Sequence, residues 1–156
     1  MGEPPGHAEG RSPPGRVLGL DLGDVRTGVA ISDADRRLAV PLGTVRAGAP
    51  QDLRAISALV RDNDITLVVV GHPLSMSGRP GTRAQHAEQL AGALRSILRV
   101  PVALHDERLS TVEAERALRQ AGVRSRDRRR TIDSSAATVI LQSWLDSERG
   151  RRPGTS

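Results

Sequence analysis

The chain has 156 residues, the length of one domain, and a formal net charge of +5 carried by 23 Arg with no Lys. It contains no Cys, which excludes thiolate metal sites, cysteine nucleophiles and a disulfide framework. A single Trp is its whole aromatic complement, which argues against recognition of single strands by base stacking on aromatic rings.

Residues 1–15 are rich in Pro and Gly and are expected to form a disordered tail, without the apolar stretch of a secretory signal. The run RVLGLDLG from Arg16 predicts a strand with Leu18, Leu20 and Leu22 on one face and Asp21 on the other, beside Gly19 and Gly23. TGVAIS predicts a second strand and LAVPLGTV a third, with Pro41 calling for an edge position or a bulge. Their short connections imply an antiparallel meander. In DLRAISALV the period changes, placing Leu53, Ile56, Leu59 and Val60 on one helical face. ITLVVVG is a continuous apolar run, as in a strand buried on both sides. After the loop HPLSMSGRPG, Thr82 is the expected N-cap of a helix with the stripe Leu90, Leu94, Ile97 and Leu98. VPVAL predicts a fifth strand, ending at HDER. Ser110 and Glu113 form a capping box for a further helix, with Gly122 just past its end. GVRSRDRRR is expected to be a basic loop. A last helix is expected over about 132–148, with Ala137, Ile140, Leu141, Trp144 and Leu145 inward, followed by a frayed basic tail over 149–156. No run approaches the ~18 apolar residues that span a bilayer, so no membrane association is expected, and a cytoplasmic location is.

The order β-β-β-α-β-α-β-α-α predicts an α/β domain over 16–148, a five-stranded mixed sheet with helices on both faces. The ribonuclease H-like fold is the leading match. Basic charge gathers at the C-terminal end, where residues 120–156 hold eight Arg against four acids. Such a patch is the footprint of a polyanion binder, and equally of a solubilising surface. If nucleic acid binds, Arg contacts to its backbone are the expected mode.

Among the acids, Asp21 is the most conspicuous, because a carboxylate in a core strand is costly unless paired or bound to a cation. Glu107 follows the fifth strand directly, where sites of α/β sheets gather. An exposed loop acid paired with Arg108 is the alternative explanation of Glu107, and Asp106 competes with it for the same role. Asp133 lies in the first turn of the last helix, where the helix dipole alone favours an acid. His72 and His105 follow core strands and could line a cleft, but they match no zinc-binding spacing, and a plain loop residue is the expectation for each.

The blocks LGLDLGDVRTGVAISD, VVVGHPLSMSG, VALHDERLSTVEAERAL and IDSSAATVILQSWL together resemble the YqgF family, over roughly residues 16–148. The family is described as pre-16S ribosomal RNA nucleases or Holliday-junction resolvase-like proteins. The resemblance implies a ribonuclease H-like fold and catalytic acids at Asp21, Glu107 and Asp133. It implies a role in 5′-end processing of pre-16S ribosomal RNA, with Holliday-junction cleavage of branched DNA as the alternative. His72 stands where members usually have Leu, and RRRTID carries Arg where members often carry Lys before the last acid.

Phosphodiester hydrolysis with two Mg²⁺ or Mn²⁺ ions held by the three acids follows from that reading, since hard oxygen ligands suit those ions. Arg26, Arg108, Arg124, Arg126, Arg128, Arg129 and Arg130 are the expected phosphate contacts. Two other classes compete. LDLGDVRTGVAIS resembles the first phosphate motif of actin-like ATPases, but no second motif is evident and the chain is short for two such domains. A non-catalytic RNA-binding factor in ribosome assembly or transcription is the other. The oligomeric state is left open.

Overall fold

The structure, a computed structural model, describes residues 13–110 and 126–151, and within the second stretch side chains from 136 to 150. Its strands are β1 (Arg16–Asp21), β2 (Arg26–Ser32), β3 (Ala39–Arg46), β4 (Ile65–His72) and β5 (Val102–Asp106). Its helices are α1 (Gln51–Asp62), α2 (Thr82–Ile97) and α3 (Arg126–Arg151), with a short 3₁₀ turn at Glu107–Leu109. The sheet order is β3-β2-β1-β4-β5. β1, β2 and β3 pair antiparallel, while β4 runs parallel to both β1 and β5. This is the expected mixed sheet.

Period-2 alternation in β1 and β4 divides the core between the two faces. Leu18, Leu20, Val68 and Val70 pack with Ile56 of α1 and Ala87, Leu90 and Leu94 of α2. Val17 and Val69 pack on the other face with Ala137, Ile140, Leu141 and Leu145 of α3. Each fully buried Leu or Ile contributes about 1.5–3 kcal/mol relative to exposure. Helix α3 crosses β1, β2 and β3, and it sits close. A Cβ on Gly19 would lie 2.8 Å from the Leu141 Cβ, so glycine at mid-strand permits this approach.

Pro41 has both expected features. β3 is an edge strand, and its register slips between Val29↔Gly43 and Ala30↔Pro41, leaving Leu42 as the extra residue of a bulge.

Five expectations change. Thr82 is the first residue of α2 and makes no capping bond; Gly81 holds the N-cap position. The α2 stripe is Ala84, Ala87, Leu90, Ala91 and Leu94, while Ile97 at the last turn is half exposed. Helix α3 begins at Arg126, so Arg126, Arg128, Arg129 and Arg130 lie on a helix rather than in a loop. It also runs to Arg151, and Arg149 donates to the Arg36 and Arg37 carbonyls at 3.2 Å, so the tail begins later than residue 149. At the other end, the Gly15 N–H donates to Ala34 O at 2.9 Å and Arg36 Nε donates to Gly15 O, which ties Gly15 to the domain. The helix expected between Ser110 and Gly122, Arg124, and the ends of both tails lie outside the described residues. Among the described residues, no helix is long and apolar enough to cross a membrane.

Candidate active site

Parallel pairing brings the C-terminal ends of β1, β4 and β5 to one edge of the sheet. Asp21 is the last residue of β1 and is half-buried. Alternation puts it on the same face as Val17 and Gly19, the α3 face. The β1–β4 register runs Leu20↔Val70, and one step further sets Asp21 beside Gly71.

Glu107 reaches that same place from the other side. The residue is only 3% exposed, and a Cβ built on Gly71 would lie 2.8 Å from Glu107 Oε2 and 2.7 Å from Ile140 Cδ1. Glycine at 71 is therefore the space into which the Glu107 carboxylate folds. With neighbouring strands about 4.8 Å apart, the register makes Asp21 and Glu107 neighbours under α3. The Glu107 backbone is fixed by the 3₁₀ turn: Ser110 N–H and Oγ–H both donate to Glu107 O, at 3.0 and 2.8 Å.

A two-bond relay fastens this turn to α3. Ser143 Oγ–H donates to Leu109 O at 3.2 Å, and its lone pair accepts from His105 Nε2–H at 2.9 Å. His105 is thus a structural histidine of β5. His72 Nε2 meets Glu88 Oε2 at 2.7 Å and ties β4 to α2.

Asp106 is separated from the site by its own partner. Arg108 Nε donates to both of its oxygens at 3.1 Å, Arg108 Nη2 donates to Oδ2 at 2.7 Å, and the Arg108 N–H donates to Oδ1 at 2.9 Å. The Arg108 guanidinium thereby holds the Asp106 carboxyl below its ordinary range, against a smaller opposing effect of burial. The same pair raises the Arg108 pKa and commits its charge, which weakens the expectation that Arg108 grips phosphate.

Asp133 lies in α3, seven residues before Ile140, and its side chain is outside the described residues. Among the described residues no three His, Asp or Glu side chains form a metal-binding group. Arg26 is exposed at the start of β2, on the face and at the sheet end of Asp21, as the pairing Asp21↔Gly28 and strict alternation require. Its cross-strand partner is the exposed Arg46. Sequence reading missed Arg46; the β3 alternation read in register with β2 was the signal.

The family model of RuvX, described as a Holliday junction resolvase, matches residues 15–147. The chain belongs to the RuvX family. A Mycobacterium bovis (BCG Pasteur 1173P2) relative, named "Putative pre-16S rRNA nuclease", is 48% identical over 153 residues, covering 97% of this chain and 88% of that protein. A Mycobacterium leprae (Br4923) relative of the same name is 50% identical over 141 residues, covering 89% and 77%. Among solved structures, T. thermophilus RuvC in complex with a Holliday junction substrate matches with a TM-score of 0.50 at 16% identity, over 86% of this chain and 96% of that one. At that identity the likeness establishes a shared fold, ribonuclease H-like, for this RuvX chain.

Proposed function

We propose that this RuvX protein is a divalent-metal-dependent nuclease that hydrolyses phosphodiesters of pre-16S ribosomal RNA, with Asp21, Glu107 and Asp133 as its catalytic acids. The observation that carries the reading is the buried Glu107 carboxylate in the space left by Gly71, beside the strand end that bears Asp21. Two carboxylates this close repel each other, and a divalent cation between them offsets that repulsion. All-oxygen donors are the set that Mg²⁺ and Mn²⁺ prefer, so the residues present fit such ions. Asp21 and Glu107 would hold them, with Asp133 completing the set from α3. When bound, such ions activate water for in-line attack and offset charge on the leaving oxygen.

The chain's own residues supply position. Asp21 is fixed by a central strand and Glu107 by the 3₁₀ turn and its Ser143 tether. Arg26 and Arg46 draw the phosphate backbone toward the acids, joined by the Arg residues at 126 and 128–130 on α3, with Arg124 just upstream. The names of the mycobacterial relatives support the RNA substrate, and the family description supports branched DNA as the second reading.

The test is cleavage of a 5′-extended 16S ribosomal RNA fragment and of a four-way DNA junction with added Mg²⁺ or Mn²⁺. The expected result is metal-dependent RNA cleavage that Asp21→Asn abolishes while the fold is kept. RNA binding without cleavage under any metal would favour the non-catalytic factor, and junction cleavage alone the resolvase. A cytoplasmic location accords with the RNA substrate.

A further inference from the structure

The connection that leaves β4 forms a miniature hairpin at the sheet edge that bears the acids. Leu74 and Pro80 pair as an antiparallel bridge. Between them, Ser75 is bound from three sides. Its O accepts from the Gly78 N–H at 2.8 Å, its N–H donates to Arg79 O at 3.1 Å, and its Oγ accepts from the Arg79 N–H at 3.2 Å. These bonds close a β-turn over residues 75–78. Gly78, at φ +85°, takes the left-handed conformation that lets the chain return. Arg108, already held by Asp106, also reaches Ser75 O with Nη1 at 3.5 Å, which links this turn to the one that carries Glu107.

Met76 stands at the tip of this turn and is 83% exposed. A lone exposed apolar side chain is ordinary. Here a second one shares its surroundings: Met76 and Leu109, itself 69% exposed, border one cavity of about 310 Å³, with Asp106, Glu107, Arg108 and Ser110 as the other walls. Two apolar groups are thus held in water beside the turn that carries a candidate catalytic acid, and packing of the core accounts for neither. The single aromatic ring of the chain is far from this edge. Trp144 lies 5.9 Å from the guanidinium of Arg36, which belongs to the β2–β3 connection at the opposite end of the sheet. A base arriving at the acids therefore finds no aromatic ring to stack on, and Met76 is the most exposed large apolar side chain among the described residues.

We propose that Met76 covers an unpaired base beside the scissile phosphate, so that this chain selects RNA whose pairing is interrupted next to the cut. The proposal rests on the nuclease reading, which brings that phosphate to Asp21 and Glu107. An unbranched, polarisable thioether makes favourable contacts with aromatic rings, and methionine is among the apolar side chains that enter base steps. Parting a base from its stacked neighbours is unfavourable, and least so where the base is already unpaired. That difference is the source of the preference. The hydrogen bonds of the turn fix the tip in advance, so little backbone freedom is lost when the base arrives. Arg79, exposed and three residues on, supplies the charge that complements the adjoining phosphates.

The test is binding of the full chain, without divalent metal so that no strand is cut, to two end-labelled RNA hairpins. One carries a single unpaired 2-aminopurine in its stem, and the other carries the same base paired with uracil. Anisotropy gives the affinities, and 2-aminopurine fluorescence rises when the base leaves its neighbours. The parent is expected to bind the interrupted stem ~10-fold more tightly and to brighten its 2-aminopurine. Met76→Leu should keep both effects. Met76→Gln, similar in length but polar, should reduce the preference to less than ~3-fold and abolish the brightening. Both variants should keep the parent's salt dependence, because Met76 touches no phosphate, and its melting temperature, because the side chain is exposed. Equal binding of the two hairpins by the parent, or Met76→Gln that retains the preference and the brightening, would overturn the proposal. The second result is also the one expected if Met76 serves a protein partner instead. A failure of the nuclease reading gives a different pattern: no metal-dependent cleavage, with the Met76-dependent preference still present.

Discussion

Gly71→Ala separates the chemical role of Glu107 from its contribution to the fold. The added methyl would lie 2.8 Å from Glu107 Oε2 and 2.7 Å from Ile140 Cδ1. Both atoms are the far ends of side chains, so each must retreat by roughly 0.7 Å to restore van der Waals contact. Overpacking of this size costs about 1–3 kcal/mol, and the smaller entropy of an unfolded chain with Ala returns about 0.4–1 kcal/mol. The net loss is about 1 kcal/mol, a fall in Tm of about 3 °C. Cleavage should fall far more, by about 100-fold, because catalytic geometry tolerates little displacement. Ile140→Val removes the Cδ1 contact, so the double variant should recover part of the stability and little of the activity. Metal-dependent RNA cleavage measured beside thermal unfolding checks this. Activity that falls no further than the folded fraction, or that returns in the double variant, would refute the assignment of Glu107 to the reaction.

Gly19→Ala places a methyl 2.8 Å from the Leu141 Cβ, an atom that cannot swing aside, so α3 must shift; a loss of about 2 kcal/mol is expected by urea denaturation. Asp106→Asn tests the ion pair. The Asp106 pKa is lowered in the native state, so the pair stabilises above the unfolded value of about 3.9 and is lost as pH falls through the lower native value. The variant should be about 0.5–1 kcal/mol weaker at pH 6, and the difference should shrink steadily as pH falls below the unfolded value, read from urea titrations across that range. Arg26→Ala and Arg46→Ala should each weaken RNA binding and reduce the slope of log affinity against log salt by about 1, measured by fluorescence anisotropy.

The layering of the fold was legible because period alone dictates it. Leu18 and Leu20 alternate with Val17 and Gly19, and the unbroken run in β4 requires cover on both faces. Pro41 marked the edge strand because it cannot donate to a ladder. The ends of α3 were not legible, since Arg is a good helix former and Gly150 sits within the last turn without ending it. At the site, Asp21 stood out from its strand, but the partner surface of Glu107 did not, because Gly71 is distant in sequence and its role is an empty volume. Asp106 and Glu107 were separable only by side-chain direction: one meets Arg108 and the other turns under α3.

The central claim is that three carboxylates from β1, the turn after β5 and α3 hold divalent cations together. Anomalous scattering from crystals grown with Mn²⁺ tests it most directly. Density is expected between Asp21 and Glu107, with Asp133 among the ligands, and is expected to be lost in Asp21→Asn crystals. Mn²⁺ bound elsewhere with this pair left empty, or bound at the pair with Asp133 turned away, would contradict it.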